Sequence, residues 1–403
     1  MKKISIDEAL DIFGRLPATP AAETVPITAA EGRVLAEDIK ARLSVPPFDR
    51  SPYDGYAFMG EDTANASKEN PVTLKVVEEI PAGKAPTVKI VPGTASKILT
   101  GAPVPEGANA IIKYEETEFT GDSVKLFYPI APNSDIVYAG EDVPEGSLMA
   151  EKGKSITPGT VGVRAGQGIA EVPVFKRPTV FVLSTGSELL EPGEAYENAK
   201  IYNSNVYTIS AYLKKMGLDP VPGGSIPDDP ELIAAKIAEA AEKYDVVVTT
   251  GGASVGDYDY AVRASELSGA KVLFWKISMK PGGAVVASER NGKLVLSLSG
   301  NPGAAITTLL RVAAPYLKRL CGVADYAPEP VEVILKEDFK KPTTQTRYLR
   351  GRLSIEGGKA MFISLDGQGN GVVSSYVGCD ALGEIPENTP PVKAGTVIKA
   401  YRV

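Results

Sequence analysis

The chain changes its hydrophobic rhythm several times. It opens with a helical pattern: Ser5-x-x-Glu8 is a capping box, and Ile6, Leu10 and Phe13 form one apolar stripe, predicting a helix from Ser5 to about Phe13. From about Pro46 to Glu141 helical periodicity is missing. Short β-branched runs (Val72–Val77, Lys97–Leu99, Ala110–Ile112, Ser123–Leu126) alternate there with turns such as Pro81-Ala82-Gly83, which predicts a β-rich region. A Gly-, Pro- and Ala-rich connector, Gly146–Pro178, follows. Between Thr179 and Gly322 strand and helix signals alternate. Val180–Ser184, Val246–Val248, Val272–Phe274 and Leu294–Leu298 read as strands. Val206, Ile209, Leu213 and Met216 read as a helix stopped by Gly217, and Asp229-Pro230 and Asn301-Pro302 open two more. This alternation predicts a doubly wound parallel α/β sheet. The tail from Pro328 to Val403 returns to short strands, Val331–Leu335 and Val397–Val403, and predicts a small β-barrel. No internal repeat or low-complexity segment interrupts the scheme.

Composition narrows the chemistry. At 403 residues the chain exceeds one core's worth, so several domains are expected. A net charge of −7 argues against a general nucleic-acid binder and leaves any phosphate ligand to local cations. No apolar run reaches ~18 residues, so no membrane span is expected. Asp7 and Glu8 stand where a signal peptide needs its apolar core. Cys321 and Cys379 are far apart and form no metal or disulfide pattern, which suits a reducing, cytoplasmic location. The chain has no histidine, which excludes Ser-His-Asp and Cys-His catalysis and His-ligated zinc. Hard oxygen ligands favour Mg²⁺.

In an open α/β sheet ligands collect at the carboxyl ends of the strands, and candidate loops converge there. Val246–Val248 runs into Thr249-Thr250-Gly251-Gly252, a backbone with no Cβ atoms to block a ligand. Beyond it Ser254, Asp257 and Asp259 supply a hydroxyl and two carboxylates, so one loop could hold a phosphate cradle and a Mg²⁺ site; a charged solvent-facing turn is the alternative. The first strand ends in Ser184-Thr185-Gly186-Ser187-Glu188-Leu189, where Glu188 either faces a ligand or complements a helix dipole. Asp228 and Asp229 are ligands or helix caps. In Ser299-Gly300-Asn301-Pro302-Gly303, Asn301 is a cap or part of an anion site. Lys276 and Lys280, after the Val272–Phe274 strand, are phosphate or oxyanion contacts, or solvated lysines.

Outside that region two segments are dense in special residues: Phe48-Asp49-Arg50-Ser51-Pro52-Tyr53-Asp54-Gly55-Tyr56-Ala57, and Leu99 to Gly107. FDRSPYDGYA, LTGAPVPEGANAII, AGED, LSTGSEL, TTGGASVGDYDY, MKPGG and SGNPG occur in this order over nearly the whole chain. Together they resemble the molybdopterin molybdenumtransferase family, the metal-insertion enzymes of molybdenum cofactor synthesis. The resemblance implies an N-terminal linker domain over residues 1–45 and 143–178, an inserted β-rich domain over 46–142, a molybdopterin-binding α/β domain over 179–327 and a C-terminal β-barrel over 328–403. It also implies a homodimer whose cleft combines the α/β and barrel domains of one subunit with the β-rich domain of the other. The enzyme that adenylylates molybdopterin is the implied supplier.

The implied substrates are molybdate and adenylylated molybdopterin, with AMP released in a Mg²⁺-dependent step. Matching motif positions imply Asp54, Thr100, Glu188, Asp228 and Asp259 around metals and anhydride, with Glu188, Asp228 and Asp259 as metal ligands. Lys276 and Lys280 would contact phosphate or molybdate, and Arg350 would reach in from the barrel. Thr185, Gly186, Gly251, Gly252, Ser254, Gly300, Asn301 and Pro302 would hold the pterin nucleotide. The chain departs from the family pattern at Tyr53 (usually Met), at Val137, Tyr138 and Ala139 (commonly arginines), at Ser299 (usually Pro), at Gly283 (a family Lys) and at Asn370 (commonly Ser). The departures keep two alternatives open: a non-catalytic pterin-binding or scaffold paralogue, and a related pyrophosphate hydrolase.

Overall fold

The computed structural model describes residues 3–252 and 258–403, and its chain forms two compact units. One comprises Met1–Ala36, Lys152–Ile156 and Val172–Val403; the other comprises Glu37–Glu151 and Thr157–Glu171.

The first unit is built on a six-stranded sheet in the order Asp219–Ile226, Thr179–Thr185, Val246–Thr250, Lys293–Leu298, Val285–Arg290, Lys271–Trp275. The first four strands are mutually parallel, and Val285–Arg290 runs antiparallel to both its neighbours. Alternate side chains explain the runs of valine. Val180, Val182, Val246, Val248, Leu294 and Leu296 enter one core with Phe13, Ile209 and Leu213, while Phe181, Val247 and Val295 enter a second with Ile233, Ile237 and Ala240. Helices therefore cover both faces: Ile6–Arg15, Asn205–Lys215 and Pro302–Thr308 with its continuation on one, Pro230–Lys243 and Tyr258–Leu267 on the other. The long helix after Asn301 is α-helical over Pro302–Thr308, π-helical over Leu309–Ala313 and α-helical again over Ala314–Leu320.

The strand Asp219–Ile226 has no counterpart in the sequence pattern. Pro220, Pro222, Gly223 and Gly224 look like a turn, yet the segment lies at the sheet edge, where a missing N–H costs little. Gly223 lies against the Phe181 ring, whose Cζ would be 2.4 Å from an added Cβ.

In the same unit Thr346–Glu356, Lys359–Ser364, Val331–Leu335, Val397–Arg402 and Ala381–Ile385 pair in that order, and the last closes on the first to form the expected barrel. Its core holds Val333, Leu335, Leu349, Phe362 and Ile398. The short strand Met279–Lys280 pairs in parallel with Thr346-Arg347 at its side.

The second unit has a six-stranded sheet in the order Ala110–Lys113, Gly55–Phe58, Thr94–Ile98, Val72–Ile80, Ser123–Leu126, Thr117–Phe119. The segment expected as a connector is ordered: Thr157 caps a helix over Pro158–Gly166 through a reciprocal bond with Thr160, and Glu171–Phe175 is a strand. Glycine content hid this helix; cap and N-terminal proline specify it. Among the described residues no helix is long and apolar enough to cross a membrane.

Candidate active-site cleft

A cleft of about 510 Å³ opens at the carboxyl ends of the parallel strands. It is lined by the ends of Thr179–Thr185 and Val246–Thr250 and by the turns that follow Ile226 and Leu298. Glycine backbone makes that convergence possible. Gly251 has φ +116°, and an added Cβ would lie 2.1 Å from the Thr185 carbonyl oxygen. Gly300 packs on Gly251, its own missing Cβ 3.3 Å from the Gly251 Cα. No side chain larger than hydrogen fits between these loops, so their backbones form the wall.

Around this wall the structure gathers several expected residues. Thr185, Glu188, Asp228, Gly251, Gly252, Gly300, Asn301 and Pro302 all line the cleft. The Glu188 carboxylate folds back over Gly186, where an added Cβ would meet Oε2 at 2.5 Å. A Cβ on Gly252 would lie 3.3 Å from Thr185 Oγ1 and 3.7 Å from Asp228 Oδ1, which puts a hydroxyl and a carboxylate beside the same glycine. The two neighbouring aspartates divide their roles. Asp229 Oδ1 accepts from the Leu232 N–H at 2.9 Å and caps Pro230–Lys243, whereas Asp228 faces the cleft. Asn301 occupies a cap position, but its side chain makes no cap bond; its N–H donates to Ser299 Oγ at 3.2 Å. Serine at 299 thus braces the turn where the family usually has proline.

Other expected residues lie elsewhere. Lys276 has a left-handed φ of 62°, and its Nζ stands 4.3 Å over the Trp275 ring. Lys280 is exposed on the strand beside the barrel. Gly283 could not be lysine in this backbone, because an added Cβ would lie 2.7 Å from the carbonyl oxygens of both Ile277 and Met279. Arg350, expected to reach into the site, is fully buried in the barrel strand. Its Nη2 donates to the Gly367 and Gly369 carbonyls at 2.8 and 2.9 Å, and burial pushes its pKa down. Its Nη1 has no hydrogen-bond partner among the described residues, and an added Cβ on Gly303 would lie 3.4 Å from it. Ser254, Asp257 and the side chain of Asp259 lie outside the described residues.

Asp54 and Thr100 belong to the β-rich unit and meet there. Asp54 Oδ1 accepts from both the Thr100 N–H and the Thr100 hydroxyl at 2.8 Å. The backbone bond, and then the hydroxyl, holds the carboxyl below its ordinary range. Gly55 allows this turn: an added Cβ would lie 1.9 Å from the Ile112 carbonyl oxygen. Tyr53 lies under Lys113 Nζ at 4.7 Å, and burial, with a bond to Asp135, pushes its phenol up.

Sequence reasoning missed two asparagines of the cleft, Asn203 and Asn205. Ser184 Oγ donates to Asn203 Oδ1 at 2.8 Å, and Asn203 Nδ2 donates to Glu191 Oε1 at 2.9 Å. Asn205 Nδ2 donates to Thr250 Oγ1 at 2.9 Å and to the Gly300 carbonyl at 2.8 Å, tying two wall loops to the start of Asn205–Lys215. The signal was Asn203-Ser204-Asn205 just before a helical stripe, which reads as simple capping. Thr185 Oγ1 and Asn205 Oδ1 are buried without a hydrogen-bond partner among the described residues. Neither thiol offers a nucleophile here: burial pushes Cys321 up to about 12 and raises Cys379 as well.

Family models match most of the chain: the MoeA N-terminal region (domain I and II) over residues 4–168, the "Probable molybdopterin binding domain" over 181–319, and the MoeA C-terminal region (domain IV) over 332–403. The chain is 35% identical over 395 residues to a molybdopterin molybdenumtransferase of Staphylococcus aureus (strain MRSA252), covering 98% of this chain and 94% of that protein. It is also 35% identical over 406 residues to a molybdopterin molybdenumtransferase of Bacillus subtilis (strain 168), covering 99% and 94%. Among solved structures, a molybdopterin biosynthesis moea protein from Pyrococcus horikosii superposes with a TM-score of 0.87 at 31% identity, covering 100% of this chain and 99% of that one. Sequence motifs, domain matches and fold agree, and the chain belongs to the molybdopterin molybdenumtransferase family.

Proposed function

We propose that the protein is a molybdopterin molybdenumtransferase that inserts molybdate into adenylylated molybdopterin and releases AMP. The observation that carries the reading is the charge of the cleft: Glu188 and Asp228 line it, and no Lys or Arg does among its described lining residues. A phosphoanhydride bound against two carboxylates is repelled unless a divalent cation accompanies it. The donor set suits Mg²⁺, with hard oxygens from the Glu188 and Asp228 carboxylates. Among the described residues no three acids or cysteines gather closely enough to hold a metal unaided. Phosphate, water and Asp259 would therefore complete the shell. The ion would neutralise charge developing on the anhydride as it is hydrolysed.

The chain's own residues position the reactants. Gly251, Gly252 and Gly300 let the pyrophosphate approach bare backbone, and Asn205 keeps the Thr250 and Gly300 loops at a fixed spacing. Lys276 and Lys280 do not line this cleft, and they are proposed to contact the oxyanion from beyond its described lining. The protein is proposed to act in the cytoplasm as a homodimer; sedimentation as a monomer of 42.4 kDa at micromolar concentration would overturn the dimer.

AMP release from adenylylated molybdopterin tests the function. Release that needs both Mg²⁺ and molybdate is expected. Release indifferent to molybdate would make the protein a pyrophosphate hydrolase, and none at all would make it a binding or scaffold protein. Asp259→Asn is expected to bind the nucleotide nearly as well as the parent but to require far more Mg²⁺ for a given rate; coincident Mg²⁺ curves would remove Asp259 from the metal site.

A further inference from the structure

A second pocket, of about 370 Å³, lies along the later part of the long helix, against the barrel strand Val397–Arg402, and shares no lining residue with the cleft. Arg311 lines it from the centre of the π-helical turn Leu309–Ala313, a rare geometry that recurs at functional sites. The side chain is only 4% exposed. Its Cζ lies 3.2 Å from the centre of the Tyr401 ring and 5.1 Å from that of Tyr348, so aromatic faces hold the guanidinium. Those faces supply no oxygen acceptor for its N–H groups. Of its three guanidinium nitrogens only Nε is sealed from solvent without a partner. No carboxylate or carbonyl among the described residues accepts from the other two. The Tyr348 hydroxyl gives its hydrogen to Glu384 Oε2 at 2.7 Å; burial pushes that phenol up, and Arg311 beside it pulls it back. A neutral phenol oxygen leaves the Arg311 charge uncompensated.

Burying a charge without a counter-ion is costly, and the surroundings raise the cost. Lys318 and Arg402 line the same pocket, with Glu329 as the single acid, so three cations gather there in a chain of net charge −7. Neither Lys318 nor Arg402 makes an ion pair with the described residues. Packing alone does not account for Arg311, since an apolar side chain of similar volume fills a space between rings without the desolvation cost. A guanidinium fork suits two oxygens of one anion, and a pocket of this volume suits a small molecule. We infer that this pocket binds the oxyanionic end of a small molecule, a carboxylate or a phosphate, gripped by the Arg311 fork with Lys318 and Arg402 at the rim.

Calorimetric titration of the intact protein in metal-free chloride buffer tests the site. Without a divalent cation the Glu188 and Asp228 carboxylates keep anions out of the cleft, so the cleft does not mask the result. The probes are inorganic phosphate and pyrophosphate in one arm, succinate and citrate in the other. At least one should bind the parent at a single site, and the arm that binds tells whether phosphate or carboxylate is the group recognised. Arg311→Lys keeps the charge and loses the fork, and should weaken that binding about tenfold or more. Lys318→Gln and Arg402→Gln leave the fork and remove rim charges; each should weaken it about two- to fivefold. Should Arg311→Lys fail to fold, the two rim variants decide. No saturable binding of any probe to the parent would overturn the inference. So would binding that neither Arg311→Lys nor the rim variants weaken, which would place the anion elsewhere. The AMP-release test of the proposed function is independent of either result.

Discussion

Two acid-bearing turns, one in each compact unit, are built in opposite ways. Asp54 in the β-rich unit is satisfied by its own fold: two bonds from Thr100 hold its carboxylate, and the absent Cβ of Gly55 lets the turn close on Ile112. Asp228 in the α/β unit is the reverse. Its neighbour Asp229 takes the cap bond, and Asp228 is left facing the cleft beside Gly252 and Thr185 Oγ1. One carboxylate is held by the fold's own donors; the other is left facing the cleft, where the proposed function needs it. Their responses to mutation should differ accordingly.

Asp228→Ala gives the largest expected effect. Removing a positioned charge from the reacting region should lower turnover by ~10² or more. The melting temperature should hardly move, because no cap or core contact is lost. AMP-release kinetics and a thermal melt on the same preparation check this. A variant that melts early and turns over normally would erase the contrast with Asp54.

At Asp54 the effect is smaller and depends on pH. Thr100→Val removes the hydroxyl donor and keeps the backbone donor, the larger cause of the lowered pKa. The Asp54 pKa should therefore rise only part of the way towards the ordinary ~3.9. The sign follows from linkage. A carboxyl depressed in the folded state stabilises above its unfolded pKa, and that contribution is lost as pH falls through the folded value. Parent and variant should thus differ in stability by a constant amount above about pH 5 and converge in stronger acid. Turnover should drop about tenfold, as for a residue that orients another. The carbon-13 shift of the Asp54 carboxyl, followed against pH, measures the change; an unmoved midpoint would mean the hydroxyl bond does not hold in solution.

The same contrast marks what could be read from the sequence. Periodicity and caps foretold Ile6–Arg15, the triple-valine strand and Pro230–Lys243, because each is encoded by local spacing. The glycine pair at 251 and 252 pointed to the end of the sheet where the cleft opens, and the close approach of Gly251 to the Thr185 carbonyl accounts for one of the two missing side chains. Local rules fail where a distant partner decides. Asp219–Ile226 is a strand despite its prolines because it lies at an edge, and Gly283 is fixed by carbonyls of Ile277 and Met279. Arg350, which the family resemblance implies would reach into the site, has its guanidinium turned by the barrel onto two carbonyls. Asn205 carries no signal beyond a cap-like residue; its importance comes from Thr250 and Gly300, far along the chain. For the adjacent aspartates, Asp229-Pro230 already marked a helix start, but either carboxylate alone could cap or face a ligand; the helix chose Asp229 and left Asp228 to the cleft.

That choice yields the smallest effect. Asp229 Oδ1 accepts the Leu232 N–H, one of the amides a helix leaves without an internal partner, and Pro230 already removes another of them. Asp229→Ala leaves the Leu232 amide to water, at a cost of about 1 kcal/mol. In a unit of this size that corresponds to a fall of about 2–4 °C in melting temperature. Turnover should stay within about twofold of the parent, because the Ile233 and Ile237 packing that anchors the helix is untouched. Asp229→Asn is the control, since an amide oxygen caps nearly as well as a carboxylate and should restore the melting temperature. If Asp229→Ala instead matched the turnover loss of Asp228→Ala, the helix start would be positioning Asp228, and the two aspartates would be one functional unit rather than a cap beside a ligand.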